Sequence, residues 1–235
     1  MNKEVKLFED FINDYDMNNP KIKLKYDHTF RVVENAKEIA KSLNLDDKEK
    51  NRALVCALFH DLGRFPQVTE YDTFIDELSF DHGDKSYELL NKWEYNDDIV
   101  KKAVKYHNKK EVPEFDELTN MHCNIVRDAD KVDIMFSFIN SPIDNNYDVD
   151  EESMNAFKEH KLIGNKSEMT EFMYGLRYLA YIFDINYRKT IELLLEKDII
   201  NDKLNLLRCE RNKEQIDFIE RELKEYIKER FDIIC

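Results

Sequence analysis

The chain has 235 residues, enough to bury one sizeable core, and glycine and proline number only four each, so turns are few and helices should dominate. A formal net charge of −14 at pH 7 argues against a groove for a nucleic-acid polymer. It leaves room for a small phosphorylated substrate if a bound cation supplies local positive charge. Cys56, Cys123, Cys209 and Cys235 form no CxxC pair and read as free thiols, and neither an apolar leader nor a bilayer-length run is present; the expectation is a soluble, cytoplasmic protein without a membrane partner, with a homo-oligomer left open.

In chain order, residues 4–16 form a short amphipathic segment, ended by a polar break at Asn18-Asn19-Pro20. From Tyr26 to Leu43, apolar residues at three- and four-residue spacing (Val32, Val33, Ala36, Ile39, Ala40, Leu43) predict a helix with one buried face. Asp46 with Glu49 has the spacing of a capping box and starts the next helix, with Gly63 as its C-terminal stop. Further helices are expected at about 81–93, 97–108, 117–140 and 151–162, then an aromatic segment 168–196 and a charged amphipathic helix 211–232, with Pro66, Pro113 and Pro142 in the gaps. The fold class is all-α, with an N-terminal helix (1–21), a core (22–140) and a C-terminal helical extension packed on that core (141–235).

The third helix carries the most informative stretch, ALVCALFHDLGRF from Ala53 to Phe65. Seven apolar residues run straight into His60 and Asp61, two groups that are costly to bury. A carboxylate there needs a basic side chain, the mouth of a water-filled cleft, or a metal. The metal reading requires further ligands on other helices, and the sequence offers them: His28 in YDHTFRVVENA, His82 in SFDHGDKSYELL, His107 in IVKKAVKYHN and Asp130 in RDADKVD. One histidine on an apolar face is more often a hydrogen-bonded core residue; this whole set points to a metal site.

HTFRV around His28, ALFHDLGR around the pair and VRDADKVD around Asp130 resemble the H…HD…D pattern of the HD-domain metal-dependent phosphohydrolases, over about residues 22–137. The resemblance implies a helical core around a metal held by His28, His60, Asp61 and Asp130. His82 and His107 are similar to the two additional histidines of the superfamily's binuclear branch, in which the counterpart of Asp61 bridges two ions. The cofactor implied is one or two divalent ions (Mn, Fe, Co, Ni or Zn), which would activate water for attack on phosphorus.

Asp61 and Arg64 are the residues expected to carry catalysis. Arg64 reads as a phosphate-gripping cation or as a structural ion pair. Lys85 and Lys131 are further candidate substrate contacts, Arg31 a support for a ligand carboxylate, and Asp133 a support for Asp130. His122 and His160 lie outside the pattern, and the tyrosines of FMYGLRYLAYIF (172–183) read as packing rather than base stacking. No GYP tripeptide accompanies the motif, LGRF lacks the acidic pair of the alarmone hydrolases, and Arg64 stands where dinucleoside tetraphosphate hydrolases usually show lysine. The expected activity is hydrolysis of a nucleotide, dinucleotide or other small phosphate ester. The alternatives are a di-iron oxygenase of the same fold and a non-catalytic metal-dependent binding module.

Overall fold

The structure is a computed structural model and describes residues 1–137, 143–164 and 168–235. Among these residues there are twelve α-helices, two short 3₁₀ turns and no strand. The all-α expectation holds. None of these helices is long and apolar enough to cross a membrane.

Helix α1 spans Asn2–Ile12, and α2 spans Pro20–Ser42. The polar break falls where the sequence puts it, but Pro20 opens α2 instead of separating two helices, six residues before the expected start. Proline lacks only an N–H that the first helical turn leaves unbonded, and the Asn19 side chain caps the turn by accepting from the Lys21 N–H at 2.9 Å. His28 therefore sits well inside α2 and not at its start.

Helix α3, Asp47–Phe59, begins at Asp46, whose carboxylate accepts from the Glu49 N–H at 2.8 Å. Ala53, Val55, Cys56, Ala57, Leu58 and Phe59 are all buried, as expected of a central helix. The chain leaves it at His60, and a new helix, α4 (Arg64–Tyr71), follows almost at once. Two expectations need correction here. Pro66 lies in the first turn of α4, where its missing N–H costs nothing, and Gly63 precedes α4 in a right-handed conformation (φ −64°) instead of ending α3 in a left-handed one.

What Gly63 supplies is room. A Cβ at this position would come within 2.2 Å of the His82 carbonyl oxygen and 2.9 Å of Lys85 Cβ. The turn carrying His60 and Asp61 is thereby pressed against the start of α5 (His82–Lys92). Buried Ser86 locks the contact: it accepts from the Gly63 N–H at 2.8 Å, and its hydroxyl lies 2.9 and 2.8 Å from the His60 and His82 carbonyls. Helices α6 (Asp98–Tyr106) and α7 (Glu117–Ser137) follow. The expected helix end at 138–140, Pro142 and the expected domain boundary at 140 fall outside the described residues.

The chain divides into two compact units, Met1–Asp133 and Ile134–Cys235. The N-terminal helix belongs to the first: Phe8 packs its ring 5.8–6.1 Å from those of Tyr26, Phe30 and Phe65. The second unit contains α8 (Glu151–Lys158), α9 (Glu171–Ala180), α10 (Arg188–Glu196), α11 (Ile199–Leu207) and α12 (Lys213–Phe231). The aromatic segment expected to run over 168–196 is split, since a 3₁₀ turn at Tyr181–Asp184 separates α9 from α10, and α11 was not anticipated. Phe172, Leu176, Leu179 and Ile182 are buried, while Tyr174, Tyr178 and Tyr181 pack against one another with centroids 5.5–6.1 Å apart, which is helix packing.

Candidate metal centre

Five elements of the first unit bring the six expected donors together. Mid-α2 carries His28, and the turn after α3 carries His60 and Asp61. His82 opens α5, His107 caps the end of α6, and Asp130 lies on α7. His28, His60, Asp61, His82 and His107 are each 5% exposed or less, so the donors face an interior and not bulk water.

The donor atoms form two groups that share Asp61. In the first, His28 Nε2 lies 3.2 Å from His60 Nε2, 3.1 Å from Asp130 Oδ1 and 3.4 Å from Asp61 Oδ2; His60 Nε2 lies 3.5 Å from Asp61 Oδ2 and 3.7 Å from Asp130 Oδ1. In the second, His82 Nε2 lies 3.1 Å from His107 Nε2, and both lie 3.5 Å from Asp61 Oδ1. Donors about 2.1 Å from a common ion stand about 3.0–3.4 Å apart, so the shorter separations in both groups match coordination edges and the longest, 3.7 Å, exceeds them by a few tenths of an ångström. The groups are continuous, since donor atoms of His60, Asp61 and His107 also lie within 4.8 Å of one another.

Each imidazole is oriented from behind. His60 Nδ1 donates to the Ala57 carbonyl and His107 Nδ1 to the Val104 carbonyl, each at 2.7 Å. His28 Nδ1 donates to Asp133 Oδ2 at 2.6 Å, and His82 Nδ1 to Asp76 Oδ2 at 2.7 Å. With Nδ1 committed to an acceptor, each ring turns Nε2 toward the centre, the atom that becomes a ligand once it carries no proton. Two pairs of Nε2 atoms then confront each other at 3.1–3.2 Å, an arrangement that a cation between them would relieve. The residues fit a divalent ion at each group.

The charges agree. Burial disfavours an ionised Asp61, but Lys25 and the surrounding histidines outweigh it and hold the carboxyl well below its usual range. Asp130 and Asp76 are likewise lowered against burial, Asp130 through His28 and His60, Asp76 through His82 and Arg64. For His28, burial and Lys25 oppose protonation, but Asp130, Asp133 and Asp61 prevail and push it up to about 9. Burial and Arg64 bring His82 down to about 4.

The supporting residues are partly rearranged relative to expectation. Asp133 accepts from His28, and Arg31 grips Asp133 through Nε at 2.6 Å and an NH2 contact at 3.0 Å, so Arg31 holds a carboxylate that anchors a donor ring. Arg64 commits NH1 to Gln67 Oε1, the Phe74 carbonyl and Asp76 Oδ1 at 2.6–2.9 Å, with Nε 3.7 Å from Asp61 Oδ1. Lys85 pairs with Glu88 at 3.5 Å and lies over the Phe80 ring, while Lys131 is buried on α7 beside Asp130. His122 lies outside the centre, paired with Glu49 at 2.8 Å, and His160 is 3.6 Å from Glu222.

Two residues of the site are absent from the sequence reading. Asp76, in the 3₁₀ turn Asp76–Leu78, anchors His82 and binds Arg64, Gln67 and Asn108. Lys25, one turn before His28, places its ammonium 2.7 Å from Asp61 Oδ2. The only available signal for Lys25 was its i,i+3 relation to His28, and for Asp76 there was none, because an acid in a loop declares its target only once the path of the loop is known.

Residues 26–135 match the family model of the HD domain, so this part of the chain is an HD domain. HD domains bind divalent metals and belong to a superfamily made up mostly of metal-dependent hydrolases, and the histidine–aspartate groups here are compatible with such a metal. Comparisons with curated proteins and with solved structures give no significant match.

Proposed function

We propose that the protein is a phosphohydrolase that uses two divalent ions to cleave a small phosphate ester, a nucleotide among the candidates. The observation that carries this reading is the division of Asp61, Oδ2 toward His28 and His60, Oδ1 toward His82 and His107. A carboxylate shared in this way suits two adjacent ions, which when bound lower the pKa of water and polarise a phosphoryl oxygen. His28, His60 and Asp130 complete one group, and His82 and His107 the other. Asp133, Asp76 and the Ala57 and Val104 carbonyls hold the four rings on target, so that little reorganisation accompanies the reaction.

The test is elemental analysis with a panel of nucleotides, phosphomonoesters and phosphodiesters under Mn²⁺. Two ions per chain and phosphate release are expected, with His82→Ala and His107→Ala each retaining one ion and losing most activity. A single ion in the saturated wild type would end the two-ion reading. Oxygen uptake under Fe²⁺ without hydrolysis would replace it with the oxygenase.

A further inference from the structure

Charge pairing singles out Lys25. Of the charged groups touching the donor side chains, Asp133 is gripped by Arg31 and Asp76 by Arg64, so each of these pairs is neutral. At the periphery Lys21 pairs with Asp72 at 2.7 Å, and Lys85 with Glu88 at 3.5 Å. The Lys25 ammonium is different: its acidic partner at 2.7 Å is Asp61, itself a donor of the centre. The side chain is only 13% exposed and lies over the Phe74 ring, 5.5 Å from its centroid, so it is held in place and shielded from water.

With two dications, the proposed function on which this inference rests, the centre carries four positive charges and Lys25 a fifth, against one negative charge each on Asp61 and Asp130. Three positive charges remain. A hydroxide nucleophile brings one negative charge, a phosphate monoester two at neutral pH, and a diester only one. In a buried site an uncompensated charge is costly, so the balanced combination is favoured. An ammonium has three N–H donors, and only one is needed for Asp61 Oδ2. We propose that Lys25 is a specificity-determining residue that selects dianionic phosphate monoesters over diesters by donating to a phosphoryl oxygen beside Asp61.

The test uses the full chain loaded with Mn²⁺, as wild type, Lys25→Met and Lys25→Arg. Calorimetry compares inorganic phosphate with dimethyl phosphate, and kinetics compare p-nitrophenyl phosphate with bis(p-nitrophenyl) phosphate, with metal content measured in parallel. Wild type is expected to favour the monoester. Lys25→Met should keep its metal and lose about ten- to a hundredfold in phosphate affinity and in monoester kcat/KM, the span of one charged hydrogen bond, with a smaller change for the diester. Lys25→Arg should recover most of the preference. An unchanged monoester-to-diester ratio in metal-replete Lys25→Met, or a wild type that prefers diesters, overturns the proposal. Loss of metal from both variants also overturns it, making Lys25 a support for Asp61 alone. If wild type cleaves neither ester, the hydrolase reading falls, and the contrast between inorganic and dimethyl phosphate still decides the role of Lys25.

Discussion

Asp76 accepts from His82 Nδ1 at 2.7 Å and from Arg64 NH1 at 2.9 Å, so a single carboxylate both aims a ring of the centre and fixes the cation beside it. Asp76→Asn should therefore weaken the ion held by His82 and His107 by about 10- to 100-fold, as for loss of a supporting carboxylate, and leave the other ion's affinity unchanged. Stepwise metal titration reads both constants. Equal weakening of the two sites would mean that Asp76 acts on the fold and not on His82.

Arg64 offers a contrast between two roles. Its NH1 is bound by Gln67, Phe74 and Asp76 and its side chain is only 14% exposed, which favours the structural ion pair over a grip on phosphate. Arg64→Ala should lower unfolding stability by about 1–3 kcal/mol, the cost of leaving buried partners of a charged hydrogen bond unsatisfied. A thermal melt alongside steady-state kinetics separates the readings. Undiminished stability with a raised KM would restore the phosphate role.

Proton release gives a third prediction. A His28 raised to about 9 in the metal-free fold, above its ordinary 6.5, stabilises that fold fully below pH 6.5, and the contribution is lost as pH rises through 9. Lys203, buried and brought down to about 7, has the opposite trend: charging it in the fold is unfavourable, so its effect on stability improves from pH 7 toward 10.5. A melt against pH mixes the two. Metal uptake isolates His28, because its Nε2 must lose a proton to become a ligand. At pH 7.5 binding of the first ion should release about one proton, read by calorimetry in buffers of different ionisation enthalpy. No release at that pH, or release that grows toward pH 10, would contradict this assignment.

Gly63 should tolerate no side chain. The atom that an added methyl would meet at 2.2 Å is backbone, the His82 carbonyl oxygen, and cannot swing aside. Gly63→Ala is expected to cost about 1–3 kcal/mol as overpacking and to lower metal content by pushing α5 away from the His60–Asp61 turn. A variant with wild-type melting and two ions would show that the turn yields freely.

The six donors were legible in the sequence because each sits in a distinctive local setting: His60 and Asp61 at the end of an apolar run, the others near helix ends or in RDADKVD. Their convergence needed no knowledge of loops. The supports were legible only in part. Asp133 was visible as an acid one turn from Asp130, but the side on which it acts depends on how α2 packs against α7, and the structure gives it to His28. Helix α4 was hidden because Pro66 suggests a gap until its place in a first turn is known, and the reading of Gly63 as a helix stop failed because its neighbour in space, His82, is distant in sequence.

The two donor groups are near copies of each other with one difference. Each contains a ring steadied by a carbonyl of its own helix (His60, His107), a ring steadied by a carboxylate (His28, His82) and one oxygen of Asp61. Asp130 belongs to the first group alone, which thus has four protein donors against three. The consequence is an order of filling. The His28 side should take up its ion first and release it last, and the His82 side, with one fewer protein ligand, should be the exchangeable half, emptied first on graded dialysis and open to displacement by whatever the protein acts on.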